Sequence, residues 1–399
     1  MTSMATPHFA IKNRFQQFIR TGQLYNNLLT NDILGDICFR ITGLTDFTVS
    51  YIDETNEGQL ATLAFEGNTF YIFLFQKKDG RNASFQSFPT TLLKSLNDDQ
   101  SNGVFCYFLP TEEEEIPRIK TDYFKFMYRL MKTVGTNFIN EELLAPYTIQ
   151  PFQTVEDIIL AKNHIRGRNS GNNSSYITKS AEDVIQVFGK LYGANKYETS
   201  LLCIALYKIT NNNIELFEIE EGNLTKLPRI ARLYLLSLER FSIVNATITL
   251  EESEFRENDS LRSPRYIYNL LEKLGDKKCA LCDCEIPQII QGAHIWPVAN
   301  IKLDDSINQD EKLSHAINGD NGLWLCSNHH KLLDTNVIRL FNDSSVKIKT
   351  TLSDSQRNYL NEVTTVKEIP RDFINENFVE YLTKRNQNIP EELYAEFTV

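Results

Sequence analysis

Two short pairs of cysteine and histidine residues constrain the fold of this chain more than any other feature. Cys279-Ala-Leu-Cys282 and Cys326-Ser-Asn-His329 each place two metal-binding side chains three residues apart. A Cys-x2-Cys turn directs both thiolates at one point, and Cys3His is a normal tetrahedral ligand set for structural zinc. The spacing therefore predicts that both pairs bind one zinc ion and close the segment between them into a small domain. Cys284 is an alternative to Cys282, although its spacing from Cys279 is less usual.

The remaining cysteines and the composition predict a globular protein of a reducing compartment. Cys38, Cys106 and Cys203 stand alone among apolar neighbours, which is typical of buried free thiols. In a cytosolic chain the clustered cysteines favour metal over disulfides. With 399 residues, of which 42% are hydrophobic, the chain suffices for two or three domains. It shows neither an apolar run of membrane-spanning length nor a secretory signal, so we expect a cytoplasmic protein of a prokaryotic cell with no membrane partner.

The pattern of strands and helices predicts the α+β class. Residues 1–150 are predicted to form a mixed α/β region. Strands are predicted within 46–53, 59–76 and 103–110, the second being a hairpin that turns at 66–68. An acidic run at 112–115 precedes a helix predicted at roughly 119–134.

The region 151–262 is predicted to be mainly helical. Apolar residues recur at helical spacing in 155–162, 180–193 and 198–209. Ser180, followed by Glu182 and Asp183, has the composition of a helix start.

A further domain is predicted at 263–345, with 346–399 as a C-terminal extension. It begins with a helix for which Ser263 is the cap, Pro264 the first-turn residue and Gly275 the stop. The zinc pairs follow, and a strand pair is predicted in 336–341 and 345–350.

Three further residues surround the zinc pairs. His294 lies in Ala-His-Ile-Trp, a short strand ended by Pro297, and Asn321 precedes Cys326 by five residues. His330 follows His329 directly. Over roughly 276–345 the chain resembles the HNH nucleases, whose ββα-metal fold places a histidine on the first strand, an asparagine before the second ligand pair and a last histidine on the helix. Many of them also carry zinc knuckles.

The resemblance implies phosphodiester hydrolysis and a role for each of these three residues. His294 would be the general base that activates water, since a neutral imidazole suits that task near neutral pH. His330 would hold a catalytic magnesium ion at the phosphate, and the products would carry a 5′-phosphate and a 3′-hydroxyl. Asn321 would orient His294 by fixing its loop, or would give an oxygen to the metal. Many members carry a further ligand just before the first histidine, where this chain has Ala293.

The second protein ligand of the magnesium ion is therefore open: Asn321 is the first candidate, and Asp334, one helical turn after His330, is the second. An ordinary helix-end carboxylate is an equally good interpretation of Asp334. Adjacent residues of a helix project about 100° apart, so His329 and His330 cannot serve one ligand set. We expect His329 to face the zinc and His330 to face the catalytic ion.

DNA affinity is expected to come from outside the nuclease domain, and residues 1–150 are one candidate region for DNA recognition or dimerisation. Residues 264–345 contain eight Lys and Arg against eleven Asp and Glu, a poor balance for binding a polyanion. The net charge of -11 for the whole chain argues neither for nor against DNA binding, because local basic patches determine DNA affinity. Arg229 and Arg232 are secondary candidates for DNA contact. The main candidates for DNA contact lie in a loop rich in Gly, Ser and Asn: His164, Arg166, Arg168, Asn169 and Asn172. The alternative is that this loop is merely solvated.

A large region before a C-terminal HNH domain resembles the HNH-type type II restriction endonucleases. Such enzymes cut both strands of a symmetric double-stranded DNA site, so a homodimer is expected. One alternative is an HNH nuclease that requires modified DNA or acts as an anti-phage effector. The other is a zinc-stabilised DNA-binding module without catalysis, which would be expected to lack His294 or Asn321; both are present.

Overall fold

The chain folds into two compact units. Unit one comprises Met1–Asn173, Leu191–Asn211 and Thr225–Phe241, and unit two comprises Ser174–Lys190, Asn212–Leu224 and Ser242–Val399. Among the residues that the structure describes, no helix has both the length and the apolar character needed to cross a membrane. The computed structural model describes residues 5–13, 31–53, 60–74, 92–93, 96, 103–109, 122–145, 149–166, 175–191, 195–220, 226–247, 251–252, 255–256 and 263–397.

Unit one contains a mixed six-stranded sheet with the spatial order β2-β1-β3-β4-β5-β6. The pairs β1–β2, β4–β5 and β5–β6 are parallel, and the pairs β1–β3 and β3–β4 are antiparallel. The predicted hairpin is confirmed: Glu66 and Gly67 both have positive φ, as a two-residue hairpin turn requires. The predicted strands at 46–53 and 103–110 are confirmed as well. The six strands are His8–Asn13, Thr48–Asp53, Leu60–Phe65, Asn68–Leu74, Gly103–Phe108 and Asn137–Ile139.

Helices accompany this sheet in unit one, and α1, Asn31–Thr42, packs directly on it. The buried face of α1, which includes Leu34, Ile37 and Cys38, packs on Phe9 and Leu63 of the sheet. The predicted helices at 119–134, 155–162 and 198–209 are confirmed, and Cys38, Cys106 and Cys203 are buried. The predicted acidic connection at 112–115 lies outside the described residues. The helices α1 to α5 are Asn31–Thr42, Asp122–Thr133, Val155–Arg166, Asn195–Ile209 and Arg229–Leu236.

The described part of the middle region contains a second sheet as well as three helices. The order of this sheet is β10-β9-β8-β7, and its strands β7 to β10 are Ser175–Lys179, Ile185–Gly189, Ile214–Ile219 and Phe241–Ala246. The helix predicted at 180–193 is wrong. The Ser180 hydroxyl accepts from the N–H groups of Glu182 and Val184, and Asp183 has a φ of 61°, so this stretch is a turn followed by β8.

The segment that carries the predicted zinc ligands forms a ββα motif in unit two. Strand β11, Ile290–His294, pairs antiparallel with β12, Gly322–Cys326, and helix α9, Ser327–Asp334, follows at once. Before the motif comes α6, Pro264–Leu274, whose first turn is capped by the Ser263 hydroxyl, as predicted. Between the two strands lie α7, Val298–Leu303, and α8, Gln309–Ile317.

The C-terminal segment shares the hydrophobic core of this motif. The predicted strand pair is confirmed as β13, Ile338–Leu340, and β14, Val346–Lys349, joined by β15, Tyr394–Ala395. Helices α10, Asp354–Val363, and α11, Glu376–Asn386, complete the unit. Buried side chains of α11 belong to the same core cluster as the two tryptophans, Trp296 and Trp324.

Candidate active site

Helix α6 fixes the β11–β12 hairpin from one side by close contact at two glycines. A Cβ atom at Gly292 would lie 2.6 Å from Leu270 Cδ1, and one at Gly322 would lie 2.8 Å from Leu270 Cδ2 and still closer to the Tyr266 hydroxyl. Only glycine permits this approach of backbone to side chain. The fully buried Tyr266 is thereby held against the hairpin at the end that carries His294.

The four predicted zinc ligands meet at one point. The ligand atoms of Cys279, Cys282, Cys326 and His329 all lie within 4.8 Å of one another. His329 Nδ1 is 3.2 Å from Cys326 Sγ and 3.5 Å from Cys279 Sγ. The three thiols and one imidazole nitrogen suit tetrahedral zinc. Cys284 is outside this group and contributes its carbonyl, which accepts from Cys279 N–H at 2.9 Å.

The predicted zinc ligand His329 is oriented by a residue far away in sequence. His329 is 1% exposed, and its Nε2 lies 3.1 Å from Thr364 Oγ1, just after α10. Val366 N–H also donates to the carbonyl of Leu281, inside the first zinc pair. A hydrogen bond to the second ring nitrogen fixes the tautomer and orientation of a histidine ligand. The segment after α10 is therefore part of the metal centre.

His294 is arranged as a neutral base. Its Nε2 lies 2.8 Å from the carbonyl oxygen of Ala316, in the last turn of α8. A carbonyl only accepts, so Nε2 carries the proton and Nδ1 carries the lone pair. Among the described residues, no hydrogen bond occupies Nδ1. The ring stacks on Tyr266 at 4.1 Å between centroids.

The charge state of His294 follows from its surroundings. The pKa of His294 is lowered to about 4, mainly by burial; the bond to the Ala316 carbonyl opposes the shift, and the nearby His330 contributes to it. A charged imidazole is disfavoured where solvent is excluded. The side chain is therefore neutral at cellular pH, the state that can accept a proton from water.

Asn321 holds the loop that follows His294. Its side-chain oxygen accepts from Trp296 N–H at 2.7 Å, and its amide nitrogen donates to the carbonyls of Trp296 and His315, both at 3.1 Å. The residue is fully buried. Because these bonds engage the carboxamide, the geometry favours the loop-fixing role and opposes the metal-ligand role that the sequence left open.

His330 lies on a different face of α9 from the Cys3His group, as the helical spacing predicts. Its Nδ1 is 3.0 Å from Gln291 Oε1, and its Nε2 is 3.5 Å from Asp334 Oδ2. The amide oxygen accepts from Nδ1–H, which leaves the Nε2 lone pair beside the carboxylate. One imidazole nitrogen and one carboxylate oxygen facing the same point are a donor set that fits a divalent cation. Ala293 is fully buried and offers no ligand.

His294 and His330 line the same cleft, with a volume of about 830 Å³. Gln186, Phe188 and Phe217 of the second sheet also line it. The sequence offered no signal for Tyr266, Gln291 or Thr364, because each reaches the site through the tertiary fold. His315 is a packing residue that binds the Tyr381 hydroxyl at 3.0 Å.

The proposed DNA-contact residues belong to unit one. His164 is exposed near the end of α3, with Nε2 3.3 Å from Asp122 Oδ2, and Arg166 is the last residue of that helix. Arg168, Asn169 and Asn172 lie outside the described residues.

Comparison with known proteins supports the interpretation of this geometry. A search among curated proteins finds no match to the chain. Residues 279–339 match the family model of the HNH endonucleases, a span that includes the Cys3His group, His294, Asn321 and His330. Unit two therefore contains an HNH endonuclease domain, with a Cys3His group that could bind zinc.

Proposed function

We propose that this protein is a type II restriction enzyme, which hydrolyses double-stranded DNA at specific sequences and leaves a 5′-phosphate and a 3′-hydroxyl. The observation that carries the chemistry is the neutral His294, with its Nδ1 lone pair free, in the same cleft as His330. Site specificity is supported by the large part of the chain outside the HNH match, with its own sheet and helices in unit one.

In this mechanism His294 Nδ1 takes the proton from the attacking water. The Ala316 carbonyl and the Tyr266 ring hold the imidazole in position, and Asn321 keeps the following loop in place. His330 and Asp334 would hold magnesium, which stabilises negative charge on the phosphate and the leaving oxygen. Asp334 is thus our candidate for the second protein ligand.

The remaining parts of the proposal concern the assembly and the DNA contacts. A homodimer would place one HNH domain on each strand of a symmetric site. The loop residues His164, Arg166, Arg168, Asn169 and Asn172 are proposed to contact DNA. Their side-chain types suit phosphates and purine edges.

The test is cleavage of plasmid DNA by the purified full chain with Mg²⁺. Unmodified and methylated or hydroxymethylated plasmids are compared, and the ends of the products are sequenced. We expect discrete fragments with constant ends from unmodified DNA, and linear product without accumulation of nicked circles. His294→Ala should abolish cutting while DNA binding and zinc content are kept. His315→Gln, a packing histidine of the same domain, should still cut.

Other outcomes contradict the proposal in distinct ways. Cutting of modified DNA alone would indicate a modification-dependent nuclease or anti-phage effector. Binding without cleavage under any condition would indicate a zinc-stabilised DNA-binding module. Accumulation of nicked circles would oppose the dimer, and a fully active His294→Ala protein would overturn the assignment of the base.

A further inference from the structure

The catalytic cleft concentrates positive charge in an otherwise acidic domain. Three cationic side chains line it, those of Lys277, Lys384 and Arg385, whereas Asp334 is the sole acidic residue among its described lining. Between 264 and 345 the acidic residues outnumber the basic ones, eleven to eight. A cleft with one sign of charge and low-dielectric walls attracts an oppositely charged ligand.

Two of these three cations already have partners inside the protein. Lys384 Nζ pairs with Asp304 Oδ2 at 3.2 Å. Arg385 is 7% exposed and donates to the backbone carbonyls of Ile295 and Leu333 and to the Asn336 side chain. Their hydrogen-bonding capacity is largely committed to the fold.

Lys277 differs from both, because the described residues offer it no ion pair. Its ammonium group makes one long contact, 3.5 Å to the carbonyl of Lys179, and lies 5.7 Å from the centre of the Trp324 ring. Trp324 Nε1 donates to the carbonyl of Gly275 at 3.2 Å, which anchors the turn that carries Lys277. A half-buried cation without an anionic partner costs free energy that a bound anion would offset.

We infer that Lys277 binds a backbone phosphate of the DNA strand that occupies the cleft. The inference rests on the proposed nuclease function and adds a DNA contact in unit two, beside the catalytic histidines. An ammonium group binds phosphate as a point charge without reading bases, so Lys277 contributes affinity and not sequence choice.

The next residue provides a matched control. Lys278 is exposed and forms an ion pair with Glu285 at 2.6 Å. It stands in the same turn, one residue nearer to Cys279 in sequence, and it is not among the residues that line the cleft. Any general effect of changing a lysine before Cys279 should appear at both positions.

The experiment measures DNA binding by fluorescence anisotropy as a function of salt. The full-length protein carries His294→Ala to prevent cutting, which avoids chelators that would remove zinc. Lys277→Met keeps the aliphatic stem on Trp324 and removes the charge. We expect it to weaken binding about tenfold at about 0.1 M salt and to reduce the salt slope by about 1, as for the loss of one phosphate contact. Lys277→Arg and Lys278→Met should keep the slope.

Three results would overturn the inference. An unchanged salt slope in Lys277→Met would show that its charge does not contact phosphate. An equal loss in Lys278→Met would show a general effect of charge. Loss of zinc or a lower melting temperature in Lys277→Met alone would show that Lys277 has a structural role. Failure of the His294-intact protein to cut any DNA would instead contradict the nuclease function, which separates the two failures.

Discussion

At the scale of single residues, burial of His294 has a consequence for stability as well as for catalysis. The pKa of His294 is lowered to about 4 in the folded protein, against an ordinary value of about 6.5 in an unfolded chain. Between these two values the unfolded chain binds a proton that the folded protein does not. The free energy of unfolding should therefore fall as the pH falls from about 6.5 to about 4.

The measurement is urea unfolding at several pH values, for the natural sequence and for His294→Ala. Both proteins lose zinc affinity in acid, so that effect cancels in the comparison. We expect the natural sequence to lose more stability than the variant across this window. Parallel pH profiles would show that His294 titrates normally in the folded protein.

The adjacent residues His329 and His330 should respond to mutation in opposite ways. His329 is buried among the cysteines, whereas His330 lies in the cleft beside Asp334. We expect His329→Ala to lose zinc and to unfold unit two, because structural zinc contributes directly to folding. His330→Ala should retain zinc and its melting temperature and lose DNA cleavage.

Metal analysis, thermal melting and plasmid cleavage are measured on the natural sequence, His329→Ala and His330→Ala. Lys331→Ala is the matched control, since Lys331 is the next residue of α9 and is exposed. Loss of zinc in His330→Ala, or its retention in His329→Ala, would reverse our assignment.

At the scale of secondary-structure elements, the hydrogen bond between the segment after α10 and the Cys3His group is expected to support zinc binding. Thr364 Oγ1 is the partner of His329 Nε2, and Thr364 is fully buried. Thr364→Val keeps the shape and removes this hydrogen bond. We expect zinc affinity to fall roughly 10–100-fold, the usual cost of losing such an outer partner.

Competition with a chromogenic chelator measures that affinity. Thr351→Val, at an exposed threonine before α10, should leave it unchanged. Equal zinc affinity in Thr364→Val and the natural sequence would show that the hydrogen bond does not support the ligand.

The elements themselves were predictable where local signals agreed. The Glu66–Gly67 turn and the cap at Ser263 gave correct boundaries, because each depends on neighbouring residues alone. The stretch 180–193 was misread since its apolar spacing also fits a strand. Two interactions make this stretch a turn and a strand: the hydrogen bonds of Ser180 within the turn, and the pairing of β8 with β9. The second joins residues that are distant in sequence, so apolar spacing alone does not reveal it.

At the scale of the whole molecule, the sequence predicted the centre of the site and not its support. The Cys3His group and the separation of His329 from His330 follow from short spacings that any fold must respect. Tyr266 and Arg385 reach the cleft from α6 and α11, and no spacing relates them to the motif. Their roles depend on the packing of distant segments.

The hydrogen bonds of Arg385 determine how long a segment must be to carry the whole site when it is transferred between proteins. The family match ends at residue 339, yet Arg385 joins the backbone after His294 to the end of α9. A recombination event that transferred residues 279–339 alone would leave behind this arginine, and with it Thr364 and Tyr266. A transferable segment that keeps the whole site must therefore also include α6, α10 and α11.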